Sequence, residues 1–390
     1  MDAIYMDHSA TTPLDPQVLE AMRPYFSEKF GNSKALHHFG REAEHAVEDA
    51  RATVARLLGC RPAEVVFTAG GSESDNIALR GLAQWALREG RPFTLITSPV
   101  EHSAVGVTAR QLREVLGIAL RIVSVDEVGR VDADDLRATL RNLPADGVTL
   151  VSLMHTNNEI GTHNPIEQYA AIAHEHGAYF HTDAVQSPAH YALDVEALGV
   201  DMLAFSSHKF YGPKGVGVLI VRENVPLLSP LTGASHEGDR RAGTHNTPGI
   251  VGTARALELA DAQRPQYTAR LRELRDALIA GVLERVPDCR LTGHPTDRIS
   301  GHASFAIKGV TGSLLLMYLD QHGIAASSGS ACMSGNEKSS TVLEALGLGP
   351  EWTRGSLRLS LGRDNTAEHV AHVLDVLPRV VAQIRQMQAL

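Results

Sequence analysis

Lys209 is the residue whose type and setting first suggest chemistry. It stands in Ser206-Ser207-His208-Lys209-Phe210-Tyr211-Gly212-Pro213-Lys214-Gly215, between the apolar runs Met202–Phe205 and Val216–Val221. The chain uses lysine sparingly, with six lysines against thirty arginines. An arginine can replace lysine as a surface cation, but its guanidinium stays protonated and cannot form an imine. A lysine kept among small hydroxyls and a histidine is therefore a candidate for covalent chemistry. The competing account is a solvated turn lysine, and Lys214 in its Gly-Pro-Lys-Gly setting fits that account better.

Other reactive groups also follow short apolar runs. Val65-Val66-Phe67 leads into Thr68-Ala69-Gly70-Gly71-Ser72-Glu73-Ser74-Asp75-Asn76, ahead of a helical pattern. Free amide N–H groups and the positive end of a helix favour phosphate at such a place. An N-cap by Ser72 or Ser74 would need no ligand, and the spacing matches neither the Walker nor the dinucleotide glycine pattern. His102, in Ser98-Pro99-Val100-Glu101-His102-Ser103, offers a catalytic group or a flat face for stacking, although it is one histidine among 19. Met154-His155-Thr156-Asn157-Asn158-Glu159 supplies amides that can orient a carboxylate or a phenolic oxygen. Asp183, in His181-Thr182-Asp183-Ala184-Val185-Gln186, closes a buried run, where a carboxylate is costly unless paired. It suits a cofactor with a protonated ring nitrogen. A phosphate cradle, a stacking face, an acid for a ring nitrogen and an imine-forming lysine are together what pyridoxal 5′-phosphate (PLP) requires of a protein.

These groups need a frame that gathers strand ends. Residues 1–35 read as irregular, and Phe39, Ala43, Ala46, Val47, Ala50, Val54 and Leu57 then recur at helical spacing up to Gly59. Seven apolar runs follow, beginning near Val65, Thr94, Leu120, Thr149, Ala178, Met202 and Val216, with stretches such as Ile77–Leu87 and Ile166–His176 long enough for crossover helices. That alternation predicts a mostly parallel sheet with helices on both faces. The short turn before the last run predicts an antiparallel final strand. Ligands of such sheets lie at the carboxyl ends of the strands. Beyond Gly252 the pattern predicts long helical structure interrupted near Pro265, then a smaller α+β unit with strands at Ala303–Ile307 and Ser356–Ser360.

The length of 390 residues suggests two or three domains. With 43% hydrophobic and 21% charged residues and a net charge of −9, the chain reads as a globular protein with no basic stripe for nucleic acid. No apolar run reaches the roughly 18 residues of a membrane span, and the start lacks a signal-peptide pattern. Cys60, Cys289 and Cys332 make no disulfide framework. These features lead us to expect a cytoplasmic protein.

The chain resembles the cysteine desulfurases, in the class V aminotransferase group of fold-type I PLP enzymes. The resemblance runs from Asp7-His8-Ser9-Ala10-Thr11-Thr12-Pro13 to Arg358-Leu359-Ser360-Leu361-Gly362-Arg363. It is most specific in Ser206–Gly215, in Arg241-Ala242-Gly243-Thr244, and in Ser327-Ser328-Gly329-Ser330-Ala331-Cys332. It implies an α/β fold, with a large PLP-binding domain at 14–255 and a small domain formed by 1–13 and 256–390. It implies that Lys209 binds the cofactor covalently, Asp183 pairs with its ring nitrogen, and His102 stacks on the ring. Asn158 and Gln186 would lie near the phenolic oxygen. Gly71, Ser72, Ser206 and His208 would hold the phosphate. Thr244 would reach the phosphate in the neighbouring subunit, which implies a homodimer. Arg358, with Asn158, would bind the substrate carboxylate. Cys332 would take sulfur from L-cysteine as a persulfide, releasing L-alanine. His102 would manage protons at the substrate sulfur. The sulfur would pass to an acceptor protein serving iron–sulfur assembly or tRNA and thio-cofactor thiolation, with no metal bound to this chain.

Cys332 separates this reaction from its rivals. Its neighbours are small and polar, whereas a structural cysteine tends to lie in an apolar run. A plain transamination needs no thiol acceptor, while a selenocysteine lyase shares most of the chemistry. A non-catalytic binding partner would have no reason to keep Lys209, Asp183, His102 and Cys332. The sequence departs from the family pattern at His8, Ser33-Lys34-Ala35, Ser72, Ala234-Ser235-His236-Glu237 and Met333. None of these removes a catalytic group.

Overall fold

The computed structural model describes residues 3–144, 146–329 and 340–388. Its main sheet is built from the seven apolar runs: β1 (Val65–Thr68), β2 (Phe93–Thr97), β3 (Ala119–Ile122), β4 (Val148–Ser152), β5 (Tyr179–Asp183), β6 (Met202–Ser206) and β7 (Gly217–Val221). The strand order is β1-β7-β6-β5-β4-β2-β3. All neighbours are parallel except β7, which runs antiparallel to both β1 and β6. The turn from Ser207 to Val216 is too short for a crossover, so the chain can only fold back on β6.

Every residue of β1, β2, β6 and β7 is buried, as expected of strands covered on both faces. Alternation along each strand divides the side chains between two apolar layers. Phe67, Leu153, Phe180 and Phe205 pack on one side with Val47 and Val54 of α1 (His38–Leu57). Val66, Leu95, Leu150 and Leu219 pack on the other with Leu79 and Leu82 of α2 (Gly71–Arg88) and Val105 of α3 (Ser103–Leu116).

Two expectations are corrected. Residues 1–35 include helices at Pro16–Met22 and Pro24–Ser27. Asp15 caps the first by accepting from the Gln17 amide at 2.7 Å, and Pro16 opens its first turn, so an Asp-Pro pair that reads as a turn is a helix start. The predicted break near Pro265 is absent: α4 (Thr247–Arg285) is one helix of 39 residues with the proline inside it. An internal proline costs about 3 kcal/mol. Packing on either side outweighs that cost, because Ile250, Ala254 and Leu257 sit in the main core while Leu271, Leu278 and Val282 sit in a second one.

The second core lies on an antiparallel sheet of β8 (Cys289–Leu291), β9 (His302–Ile307) and β10 (Ser356–Ser360), covered by α4 and by α5 (Ala367–Gln388). Ile4 and Met6 belong to it. From there the N-terminal strand crosses to the main sheet, where the Thr12 amide and hydroxyl both donate to the His208 carbonyl at 2.9 Å. The first dozen residues thus fasten the second unit to the turn that carries Lys209. No helix among the described residues is long and apolar enough to cross a membrane.

Candidate active site

The strand ends of the main sheet meet at a cavity of about 340 Å³. Gly71, Ser72, His102, Asn158, Asp183, Gln186, Ser206, His208, Lys209 and Arg358 all line it. Thr244 is exposed and does not line it, and Cys332 lies outside the described residues. Lys214 is exposed in its turn, which leaves Lys209 as the lysine of the cavity.

α2 begins at Gly71, so Ser72–Asn76 are helical and not part of a loop. Its N-cap is Gly70, at φ 157°, and no side chain caps it. The two serines that offered a ligand-free explanation do not supply one. Ser72 is exposed, and Ser74 Oγ lies 2.8 Å from Thr68 Oγ1 and 3.2 Å from the Gly70 carbonyl. An 18-residue helix therefore points its uncapped positive end at the cavity. A Cβ on Gly71 would come within 2.5 Å of Val185 Cγ2, so only glycine permits this close approach.

β6 ends in a short helical turn, Ser207–Lys209. Lys209 Nζ donates to the carbonyls of Ser9 at 2.6 Å and Ala10 at 2.7 Å. Burial, helped by the Arg358 charge, lowers its pKa to about 8, against the pull of Asp183 and Asp7. His208 beside it is lowered to about 4 by burial and by the charges of Lys209 and Lys214, so it is neutral near pH 7.

Asp183 Oδ1 accepts from the Val185 amide at 2.9 Å. Burial pushes its carboxyl upward, and His102 and Lys209 only partly offset that. A cationic ring nitrogen would reverse the shift. Gln186 Nε2 donates to the Ser9 carbonyl at 2.9 Å, the same oxygen that receives Lys209. His102 Nδ1 accepts from the Ala104 amide at 3.1 Å and so caps α3, which fixes the ring at the cavity wall.

Arg358 projects from β10. Nη1 donates to the Asn158 carbonyl at 3.0 Å and Nη2 to Asp7 Oδ1 at 2.9 Å, while the buried Nε has no partner. The fork is held by two protein oxygens, and each of its two Nη groups carries a second N–H, so the side chain keeps donors for a carboxylate where it lines the cavity. A second cavity of about 610 Å³ shares His102, Asn158 and Arg358 and extends past Ser327, Ser328 and Gly329 to Thr341.

Sequence reasoning missed Ser9, Ala10 and Asp75, all of which line the first cavity. Asp75 Oδ1 and His181 Nε2 lie 3.6 Å apart, both buried and without hydrogen-bond partners. Asp75 sits one turn beyond Gly71, on the face of α2 that looks at the cavity; that spacing was its signal.

The model of the family described as Aminotransferase class-V matches residues 4–373. Two relatives carry the name "Cysteine desulfurase IscS". The one from Methanosarcina thermophila is 45% identical, covering 100% of this chain and 94% of its own. The one from Dictyoglomus turgidum is 43% identical, covering 98% and 95%. The chain belongs to the cysteine desulfurase family. A solved structure titled "NIFS-LIKE PROTEIN" superposes with a TM-score of 0.89 at 34% identity, covering 98% of this chain and 100% of that one. The fold is thus that of the fold-type I PLP enzymes, and the protein is PLP-dependent. Its cavity fits the cofactor: an uncapped helix start for a phosphate, a buried carboxyl whose desolvation is only partly offset, and a lysine with a lowered pKa. Cys60 and Cys289, the other two cysteines, are half-buried, and burial pushes both thiols up to about 12, so neither is a ready nucleophile.

Proposed function

We propose that the protein converts L-cysteine to L-alanine and collects the sulfur on Cys332 as a persulfide. The observation that carries this reading is the convergence of Lys209, Asp183 and Arg358 on one cavity. PLP, when bound, supplies an electron sink for the charge left at the substrate Cα.

The α2 N-terminus, with Gly71, Ser72, Ser206 and His208, would hold the phosphate, and Asp183 the ring nitrogen. His102 would lie against the ring, and Asn158 and Gln186 beside its phenolic oxygen. Arg358 would bind the substrate carboxylate through its guanidinium, with Asn158 alongside. The Lys209 amine would remove the α-proton, and His102 would hold the proton of the substrate thiol. The Cys332 thiolate attacks the substrate sulfur: the Sγ–S bond forms and the Cβ–S bond breaks. The electron pair goes to Cβ, which takes a proton to become a methyl group, and the proton held on Lys209 would return to Cα as L-alanine leaves. The sulfur then passes to an acceptor protein, for iron–sulfur assembly or thiolation chemistry.

We further propose a homodimer. Thr244 is exposed and away from its own cavity. Phe26, Phe30, Leu36 and Phe39 are all exposed, and the Phe30 and Phe39 rings stack at 5.6 Å, which leaves apolar side chains that a partner subunit would cover. A reducing, cytoplasmic compartment suits a free reactive thiol.

Incubation with L-cysteine, followed by measurement of alanine and sulfide, tests the reaction. Lys209→Ala is expected to abolish both products. Cys332→Ser is expected to lose at least ~100-fold, the scale typical of removing a nucleophile. Sulfide release unchanged in Cys332→Ser would overturn the persulfide route.

A further inference from the structure

Gly329 and Ser340, the described residues on either side of 330–339, meet at one side chain. Ser340 Oγ donates to Glu159 Oε2 at 2.6 Å. A Cβ on Gly329 would lie only 2.8 Å from the same oxygen and 3.6 Å from Ser340 Oγ. The Gly329 amide donates to Ser356 Oγ at 3.2 Å, which fixes that end on β10. Ile160 packs with Val342 and Leu343, just past the other end. On its far side the turn reaches the substrate arginine, because the Asn158 carbonyl accepts from Arg358 Nη1 at 3.0 Å and Ser327 pairs with Arg358 through the backbone. Asn157 Oδ1 holds the turn itself by accepting from the Glu159 amide at 2.8 Å. Burial raises the Glu159 carboxyl, with Ser340 and Arg358 pulling it back.

We propose that Glu159 is a positioning residue that clasps both ends of the 330–339 segment and sets them against Arg358. This rests on the reading of Cys332 as sulfur acceptor and Arg358 as carboxylate ligand. Glu159 then serves sulfur transfer and not removal of the α-proton. Thiolate attack demands close alignment, and a displacement of about 1 Å can cost on the order of 100-fold. Proton removal draws on Lys209 and Arg358, which Glu159 does not hold directly.

Two measurements on PLP-loaded enzyme separate these halves. Solvent deuterium exchange at Cα of L-alanine, followed by NMR, needs no thiol acceptor. Persulfide on Cys332 after one turnover is trapped by alkylation and counted by mass spectrometry. Glu159→Ala is expected to slow persulfide formation at least ~10-fold while leaving exchange within about twofold. Glu159→Gln keeps an oxygen for the Ser340 hydroxyl and is expected to recover most of the loss. Equal losses in both measurements, an unaffected persulfide rate, or a Gln variant as slow as Ala would each overturn the proposal. Should Glu159→Ala not yield holoenzyme, Ser340→Ala is judged by the same selective loss. Cys332→Ser serves as the control: if it still yields sulfide at the normal rate, the acceptor assignment has failed and not the clasp.

Discussion

Lys209 loses hydration as its side chain enters the cavity, and an ammonium feels that loss more than a neutral amine. Burial, with the Arg358 charge, brings its pKa from the ordinary 10.5 to about 8. The lowered value favours the neutral form, so reactive amine accumulates as pH rises through about 8 and not two units higher. The rate at which apoprotein captures the PLP aldehyde, followed by absorbance, is accordingly expected to climb toward pH 8 and level off above about 9. A rate still rising tenfold per unit at pH 9.5 would show that burial does not tune this amine. Lys209, Asp183 and His102 were legible because each follows an apolar run, and strand ends are where such sheets bind ligands. Ser9 was not legible. It acts through its backbone carbonyl, which receives both Lys209 and Gln186, and a carbonyl has no residue-type signature.

Among the elements, the segment leading to Thr244 is held by a single carboxylate. Glu237 stands at φ 52°, a region costly for a side chain other than glycine. Four bonds hold it there: Arg51 Nη1 at 2.8 Å and Nη2 at 3.0 Å, the Phe67 amide at 2.9 Å, and His245 Nε2 at 2.6 Å. Burial alone would raise its pKa, but His245, Arg51 and the Phe67 amide more than offset this and bring it to about 2. A depressed carboxyl stabilises the fold above its unfolded pKa and loses that contribution as pH falls through the folded value. Glu237→Gln is therefore expected to cost about 3 kcal/mol near pH 7, the scale of breaking a buried ion pair. The gap to wild type should close as pH falls from about 5 toward 2, measured by denaturant unfolding. A gap independent of pH would mean that the loss is one of packing. Periodicity and strand–turn–strand punctuation made the seven strands and α1 legible. The continuity of α4 through Pro265 was hidden because it depends on two cores that the local pattern cannot see. The Glu237 knot was hidden for the same reason, since its partners lie 186, 170 and 8 residues away.

In the whole molecule, residues from the two chain ends complete one site: Asp7 and Arg358, 351 positions apart, form a bond only because the N-terminal strand pairs with Ile324–Ala325 and Asp7 then bridges to Ser360 of β10. Such pairings require the assembled topology and leave no trace in local pattern. The proposed dimer extends this logic across a two-fold axis, with Thr244 of one protomer serving the cavity of the other. Lys209→Ala and Thr244→Ala test it together, because each variant should be impaired alone, the second at least ~10-fold through a lost phosphate contact. Unfolding and refolding the two as an equal mixture gives about half heterodimers by random pairing. In each heterodimer one cavity carries both substitutions, while the other has its own Lys209 and an intact Thr244 from the Lys209→Ala protomer. About a quarter of all cavities would then be wild type, and alanine production should return to roughly that fraction. If Thr244 acted within its own protomer, every cavity would keep one defect and mixing would recover nothing.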